Sequence, residues 1–266
     1  MNAPAEAPPL KIEEVAPHIL LVAFNRPHVR NAIDTATMVA LRDVFAPLEF
    51  TPGELRCIIL TGTGDKAFSA GGDLKERDGM SDADWRLQHA IAEEGAKAIV
   101  DCPVPVIAAV NGAAFGGGCE LALCCDFIIA ARHARFALPE VTRGIMPGGG
   151  GTQNLPRAIG ERRAKQLILT GAPFGAEDAF AWGMVNEVCD ADALLPRARE
   201  IAQAIADNAP IAVRQAKRAI HHGLQGDIHT GMVFEIQAYE RMIASEDRLE
   251  GVRAFNEKRK PVFRGR

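Results

Sequence analysis

Between Val106 and Asp126 the chain passes from five apolar residues, through Asn111 and Gly112, into Phe-Gly-Gly-Gly and then an apolar run that closes on Asp126. An apolar pentad, a glycine turn and an apolar run of helical length read as a strand handing over to a buried helix. Such a unit has to be covered on both faces, which points to a layered α/β architecture. One carboxylate, Glu120, stands inside the run. Its same-face helical neighbours, Gly116, Gly117, Leu123 and Cys124, offer it no charge. A Glu buried there requires a partner, hydrogen bonds or a proton, and desolvation raises its pKa toward the range useful for proton transfer. The glycines before it leave N–H groups free at a helix start, where negative charge is stabilised. An acid beside such amides is the kernel of a site for a developing enolate or other oxyanion.

The same punctuation recurs along the chain. Leu10 to Val15 and His18 to Phe24 read as strands, Asp34 as the N-cap of a helix from Thr35 to Pro47, and Cys57 to Thr61 and Ala67 to Ser69 as further strands. Asp82 to Asp101 has helical periodicity, and Pro103 and Pro105 open the strand Val106 to Val110. After the Glu120 helix come the strands Phe127 to Ala130 and Arg135 to Leu138, a glycine loop from Pro147, the helices Arg162 to Leu169 and Ala176 to Trp182, and a last strand at Met184 to Val188. Strand, strand, helix, with glycine at the strand ends, means α/β with largely parallel strands. From about Ala193 the pattern is helical: 193 to 207, 211 to 222, 229 to 244 and 247 to 258. The expected organisation is a disordered tail at 1–9, a core at 10–208 and a helical region at 209–266 that buries its apolar face on the core or on another subunit.

At 266 residues and 48% hydrophobic composition the chain can bury a substantial core. A formal net charge of −4 gives no general affinity for nucleic acid or anionic membranes. The basic runs at Arg162, Arg163 and Lys165 and at Lys258 to Lys260 read as solvated faces. The longest apolar stretch, 104 to 131, is glycine-rich and interrupted by Asn111, Glu120 and Asp126, which speaks against a membrane span. The first nine residues carry neither the basic nor the apolar region of a secretory signal, and a cytoplasmic location is expected. Six cysteines show no metal-binding spacing and read as small buried hydrophobes in a reducing compartment.

Several chemistries fall away on motif grounds. Serine occurs only at 69, 81 and 245, never in a GxSxG elbow. The histidines lack metal spacing, and no metal is expected. Gly62 to Ala67 fits GxGxxA loosely but opens no helix, and the loop from Pro147 lacks a P-loop lysine. The turn Ala70-Gly-Gly-Asp-Leu-Lys75 is more informative. Its two glycines follow a strand and expose N–H groups, so one amide from this turn and one from Gly116 to Gly118 would form a two-donor oxyanion hole. Glu140, after Pro139 at a strand end, is a second candidate acid, and with Glu120 it suggests paired acid/base chemistry.

As a set, Asn25-Arg-Pro27 with Asn31-Ala-Ile33, Ala67-Phe-Ser-Ala-Gly-Gly-Asp-Leu-Lys-Glu76, Ala109-Val-Asn-Gly112, Phe115-Gly-Gly-Gly-Cys-Glu-Leu-Ala122, Phe136-Ala-Leu-Pro-Glu140, Gly144 to Gln153 and Glu246 to Gly251 with Ala254 to Lys258 resemble the crotonase superfamily over nearly the whole chain. With acids at both 120 and 140, twenty residues apart, the chain looks like the enoyl-CoA hydratases of that superfamily, nearest those similar to methylglutaconyl-CoA hydratase. The resemblance implies a spiral of repeated ββα units with a C-terminal helical trimerisation region, assembled as a homotrimer or a dimer of trimers. It implies hydration of a 2-enoyl-CoA, with the thioester oxygen held by the N–H groups of Gly72 and Gly117, Glu120 on the water and Glu140 on C2, although both acids holding one water stays open. Ala70, Asp73, Leu74, Lys75 and Gly148 are the implied substrate and CoA contacts, joined by Phe255 and Lys258 from the helical tail of this or a neighbouring subunit. Coenzyme A enters as part of the substrate, and no cofactor is implied. Arg77 to His89, with Met80 and Trp85, would line or cover the acyl pocket.

Alternatives within the resemblance are an enoyl-CoA isomerase, a dehydratase or a lyase, and, more remotely, an RNA-binding protein on the same fold. The Lys-rich helix tied to RNA binding in one relative has no counterpart here, since 35 to 56 contains no lysine. Gly72 stands where Ala is common, and Asn154 where Arg is frequent.

Overall fold

The computed structural model describes residues 7–266. A hairpin opens it: β1 (Leu10–Ala16) and β2 (Ile19–Phe24) pair antiparallel. Helix α1 (Thr35–Phe45) starts on Asp34, whose side chain accepts from Thr37 N, and a 3-10 turn containing Pro47 replaces its expected last residues. Three ββα turns follow. The first is β3 (Cys57–Gly62), β4 (Ala67–Ser69) and the helices α2 (Leu74–Arg77) and α3 (Asp82–Val100). The second is β5 (Val106–Val110), β6 (Ala113–Phe115) and α4 (Gly117–Cys124). The third is β7 (Phe127–Ala131), β8 (Arg135–Ala137), α5 (Gly151–Ile159) and α6 (Glu161–Thr170). Then come β9 (Phe174–Gly175), α7 (Ala176–Ala181), β10 (Glu187–Cys189), α8 (Leu194–Ala206), α9 (Pro210–Gly223), α10 (Ile228–Ile243) and α11 (Glu246–Asn256).

Each turn deals its first strand to one sheet and its second to another. The larger sheet has the order β1-β2-β3-β5-β7-β10 and is parallel from β2 onward; the smaller has the order β4-β6-β8-β9, with only β8 and β9 antiparallel. This succession is the spiral expected of the chain. Strand alternation explains why the central strands carry apolar residues toward both faces. Ile58, Leu60, Val106, Ala108, Ile128 and Ala130 face one core, while Ile59, Ile107, Ala109 and Ile129 face a second core against α8. Helix α8 meets that face with Leu194, Ala198, Ala202 and Ala206, one per turn and mostly small.

Three expectations need correction. The extended pairing of β10 begins at Glu187, not Met184, because Met184 N and Val185 N both donate to Ala179 O in the turn after α7. Strand β6 was read as part of the glycine turn, and β9 and α2 were missed; all three are too short to show a period. Residues 1–6 of the tail expected at 1–9 lie outside the described residues; within 7–9, Pro8 O and Pro9 O accept from the side chain and amide of Asn25.

Helix α9 is tied to the core by Lys217, which donates to Asp126 Oδ2 at 2.7 Å and Val104 O at 3.1 Å, and by Arg214, which donates to Gly53 O and Leu55 O. Beyond it, α10 packs on α9 and leaves Met232, Val233, Ile236 and Tyr239 more than half exposed. No helix among the described residues is long and apolar enough to cross a membrane.

Candidate active site

Two turns, one from each of the first two ββα units, meet at the head of the smaller sheet. Asparagines brace them. Asn31, fully buried and left-handed at φ 55°, donates to Ala67 O at 2.8 Å and Thr63 O at 3.0 Å, and Asn111 donates to Gly62 O and Gly64 O. Glycine lets the turns touch. Gly71 has φ 89°, and a Cβ there would stand 2.6 Å from Phe115 O; Gly116 has φ 52°, with the Cβ position 3.3 Å from Glu140 Oε1. The next residue of each turn is Gly72 and Gly117. The N–H of neither donates to any group among the described residues, and Gly72 N lies 3.9 Å from the Cβ position of Gly117. Gly117 opens α4, so its amide is one of the first-turn donors that a helix cannot use.

Glu120 is 5% exposed. Its Oε1 accepts from Gly149 N at 2.7 Å and Gly151 N at 2.8 Å, the amides at the start of α5. Burial pushes its carboxyl above the usual range while these amides oppose the rise. Glu140 differs. Its carboxyl oxygens are buried and have no hydrogen-bond partner among the described residues. Burial, with the charge of nearby Glu120 added, pushes it up to about 7. The result is one tethered carboxyl and one free one, the latter poised to exchange a proton near neutrality.

Both carboxyls and both amide turns line one cavity of about 790 Å³. Ala70, Leu74 and Gly148 are on its wall, as are Arg77, Trp85 and His89; Met80 is not. Nor are Asp73, Lys75, Phe255 and Lys258, so the structure does not group these four with the glutamates. The Asp73 carboxylate is taken up by Arg26 at 3.0 Å and by capping α2 through Lys75 N, Lys75 is exposed, and Phe255 is 84% exposed on α11. Asn154 turns to Cys124 Sγ, away from the cavity wall. The sequence reading missed that Gly149 and Gly151 hold Glu120. Its one signal was the glycine run directly before a helix, a place where free amides accumulate.

A cavity with two elevated carboxyls and two unspent amides, carried on a ββα spiral, defines a class of acid/base enzyme for thioester enolates. The chain belongs to the enoyl-CoA hydratase/isomerase family, whose model matches residues 14–266. It is 42% identical over 245 residues to the crotonyl-CoA hydratase of Syntrophomonas wolfei, covering 92% of this chain and 94% of the relative. It is 42% identical over 242 residues to the short-chain-enoyl-CoA hydratase of Clostridium acetobutylicum, covering 91% and 92%. The crystal structure of enoyl-CoA hydratase from Bacillus anthracis superposes with a TM-score of 0.94 at 45% identity, covering 97% of this chain and all of the other.

Proposed function

We propose that this protein is an enoyl-CoA hydratase, a hydro-lyase that adds water reversibly across C2=C3 of a 2-enoyl-CoA thioester. The observation that carries the reading is the convergence of Glu120, Glu140 and the free amides of Gly72 and Gly117 on one cavity. The two N–H groups hold the thioester oxygen and draw electron density from C3. Glu120, fixed by Gly149 and Gly151, takes a proton from the water that attacks C3. Glu140 gives its proton to C2. One such oxyanion donor is worth about 3 kcal/mol in the transition state. The chemistry calls on side chains and amides alone, with coenzyme A as part of the substrate. Ala70, Leu74 and Gly148 meet that substrate along the wall, while Asp73 and Lys75 shape the turn beside it.

The assembly is a homotrimer or a pair of trimers, a reading supported by the apolar face left open on α10. In it Phe255 and Lys258 reach the CoA of a neighbouring subunit. A cytoplasmic location is supported by six cysteines that are all free thiols.

The test is loss of the conjugated-enoyl absorbance of crotonyl-CoA and methylglutaconyl-CoA, within a wider panel of CoA thioesters. Glu120→Gln and Glu140→Gln should each lower kcat by about 10²- to 10⁴-fold with unchanged circular dichroism. Full activity in either variant refutes its assigned role.

A further inference from the structure

The two amides aimed at the thioester oxygen are not held alike. Gly117 N belongs to the first turn of α4, an eight-residue helix packed on β6 and α5. Gly72 N stands before α2, which has only four residues, so its direction is set from outside that helix. The chain before α1 sets it. Ile33 N donates to Gly71 O at 2.8 Å and Asp73 N donates to Ile33 O at 2.9 Å, which makes Ile33 and Gly72 a parallel pair. Along an extended chain successive residues turn their N–H and C=O to opposite sides. With Gly71 O and Asp73 N turned to Ile33, the N–H of Gly72 is turned away from it, to the cavity.

That pairing is one bridge long, and a single side chain fastens it. Arg26 Nη1 donates to Ala32 O at 2.8 Å and to Asp73 Oδ2 at 3.0 Å, and it stands 3.2 Å from Asp34 Oδ2. Asp34 and Asp73 are the residues directly after Ile33 and Gly72. Each gives its other oxygen to the helix it caps: Asp34 Oδ1 accepts from Thr37 N at 2.8 Å, and Asp73 Oδ1 from Lys75 N at 3.1 Å. One guanidinium nitrogen thus joins two helix caps across the bridge that aims Gly72. Arg26 is itself fixed, its N donating to Asn31 Oδ1 at 3.1 Å and its O accepting from Asn31 N at 2.8 Å. Burial acts to raise the Asp73 carboxyl, but hydrogen bonds from Arg26 and Lys75 N bring it below its usual range, so it stays an anion beside the cation. Arg26 is not among the residues of the cavity wall. Without its guanidinium, two mostly buried carboxylates would flank the bridge with no cation between them, and their repulsion would part the two chains there.

We infer that Arg26 is a positioning residue for catalysis: by binding Asp34 and Asp73 across the Ile33–Gly72 pair, it directs the Gly72 amide at the thioester oxygen. The inference rests on the hydratase reading above and assigns a part of its oxyanion hole that lies outside the cavity.

Arg26→Met, which removes the three contacts and keeps most of the bulk, tests it in two ways. With crotonyl-CoA, kcat should fall roughly 10- to 100-fold while KM stays within about threefold of the natural value. The other measurement is spectroscopic. In p-dimethylaminocinnamoyl-CoA an electron-donating ring makes C3 resist water, and the absorption band moves to longer wavelength as the carbonyl oxygen is polarised. Bound to the natural protein, the band should shift to the red. Bound at saturation to Arg26→Met, at a temperature where circular dichroism shows the variant folded, it should lose most of that shift. A role in stability alone lowers the melting temperature and leaves the bound band of the folded variant where it was. An unchanged band therefore overturns the inference whatever happens to kcat, as does a loss confined to KM, or the absence of a red shift in the natural protein. Should Arg26→Met not fold, Asp73→Asn, which keeps an oxygen for Lys75 N, replaces it with the same two losses expected. A natural protein that hydrates no enoyl thioester sinks the hydratase reading, while the band comparison still decides the role of Arg26.

Discussion

At the residue scale, the two glutamates differ in how they are held, and that difference sets a pH dependence. In hydration Glu140 acts as the acid, and with a pKa near 7 it begins to lose its proton at neutrality. Hydration consumes no net proton, so kcat/KM for hydration and for dehydration must share one pH dependence, and both should fall about tenfold per pH unit well above 7 as the pair of carboxyls loses its last proton. Paired forward and reverse pH–rate profiles check this. The same burial acts on stability. The folded carboxyl keeps its proton up to about 7 against 4.5 for the free side chain, so ionisation above 7 penalises the folded state and acid removes the penalty. A shift of that size corresponds to about 3 kcal/mol, reduced to about 1–2 kcal/mol by solvent reaching the half-buried group. Glu140→Gln should accordingly unfold later than the natural protein at pH 8 and together with it below pH 4.5, as read by thermal denaturation.

Gly72 and Gly71 behave oppositely. Gly72 lacks a positive φ, and the atoms nearest to a Cβ there are those of the flexible Arg77 guanidinium at 3.4–3.6 Å, so Gly72→Ala should stabilise by about 0.4–1 kcal/mol. Gly71→Ala, with φ 89° and Phe115 O in the way, should destabilise by more than that, as denaturant titration would show.

At the scale of elements, the smaller sheet depends on side chains that tie turns together. Asn31→Ala would strip Ala67 O and Thr63 O of their donor and place Ala at φ 55°, at a cost of about 2–4 kcal/mol measurable by denaturant unfolding. Long or strongly patterned elements were legible in the chain: the apolar pentad of β5, the full length of α3 and the one-per-turn stripe of α8 all carry a period. The short elements β6, β9 and α2 were not, because they are defined by their neighbours' register. Glu120 and Glu140 were legible as chemically misplaced acids. The tether on Glu120 was not, since Gly149 and Gly151 reach it through the packing of α5 on α4. Motif residues such as Arg26, Asn31 and Asn111 carry no charge to the cavity; they join the turns that form it.

At the scale of the whole molecule, α9 is anchored to the core through Lys217 and Arg214, whereas α10 presents an apolar face to the outside. In the trimer reading that face is covered by another copy. Ile236→Glu or Tyr239→Glu should then dissociate the assembly, with sedimentation velocity reporting monomers, while an unchanged oligomer would place the contact elsewhere. The grip of the Gly149 and Gly151 amides on Glu120 carries through to the product. A carboxyl pinned at one oxygen cannot swing to the opposite side of a planar alkene whose carbonyl is also fixed. Water is then delivered from a single direction, and the new carbon–oxygen bond at C3 has one handedness: chiral chromatography of the 3-hydroxyacyl product should return one enantiomer.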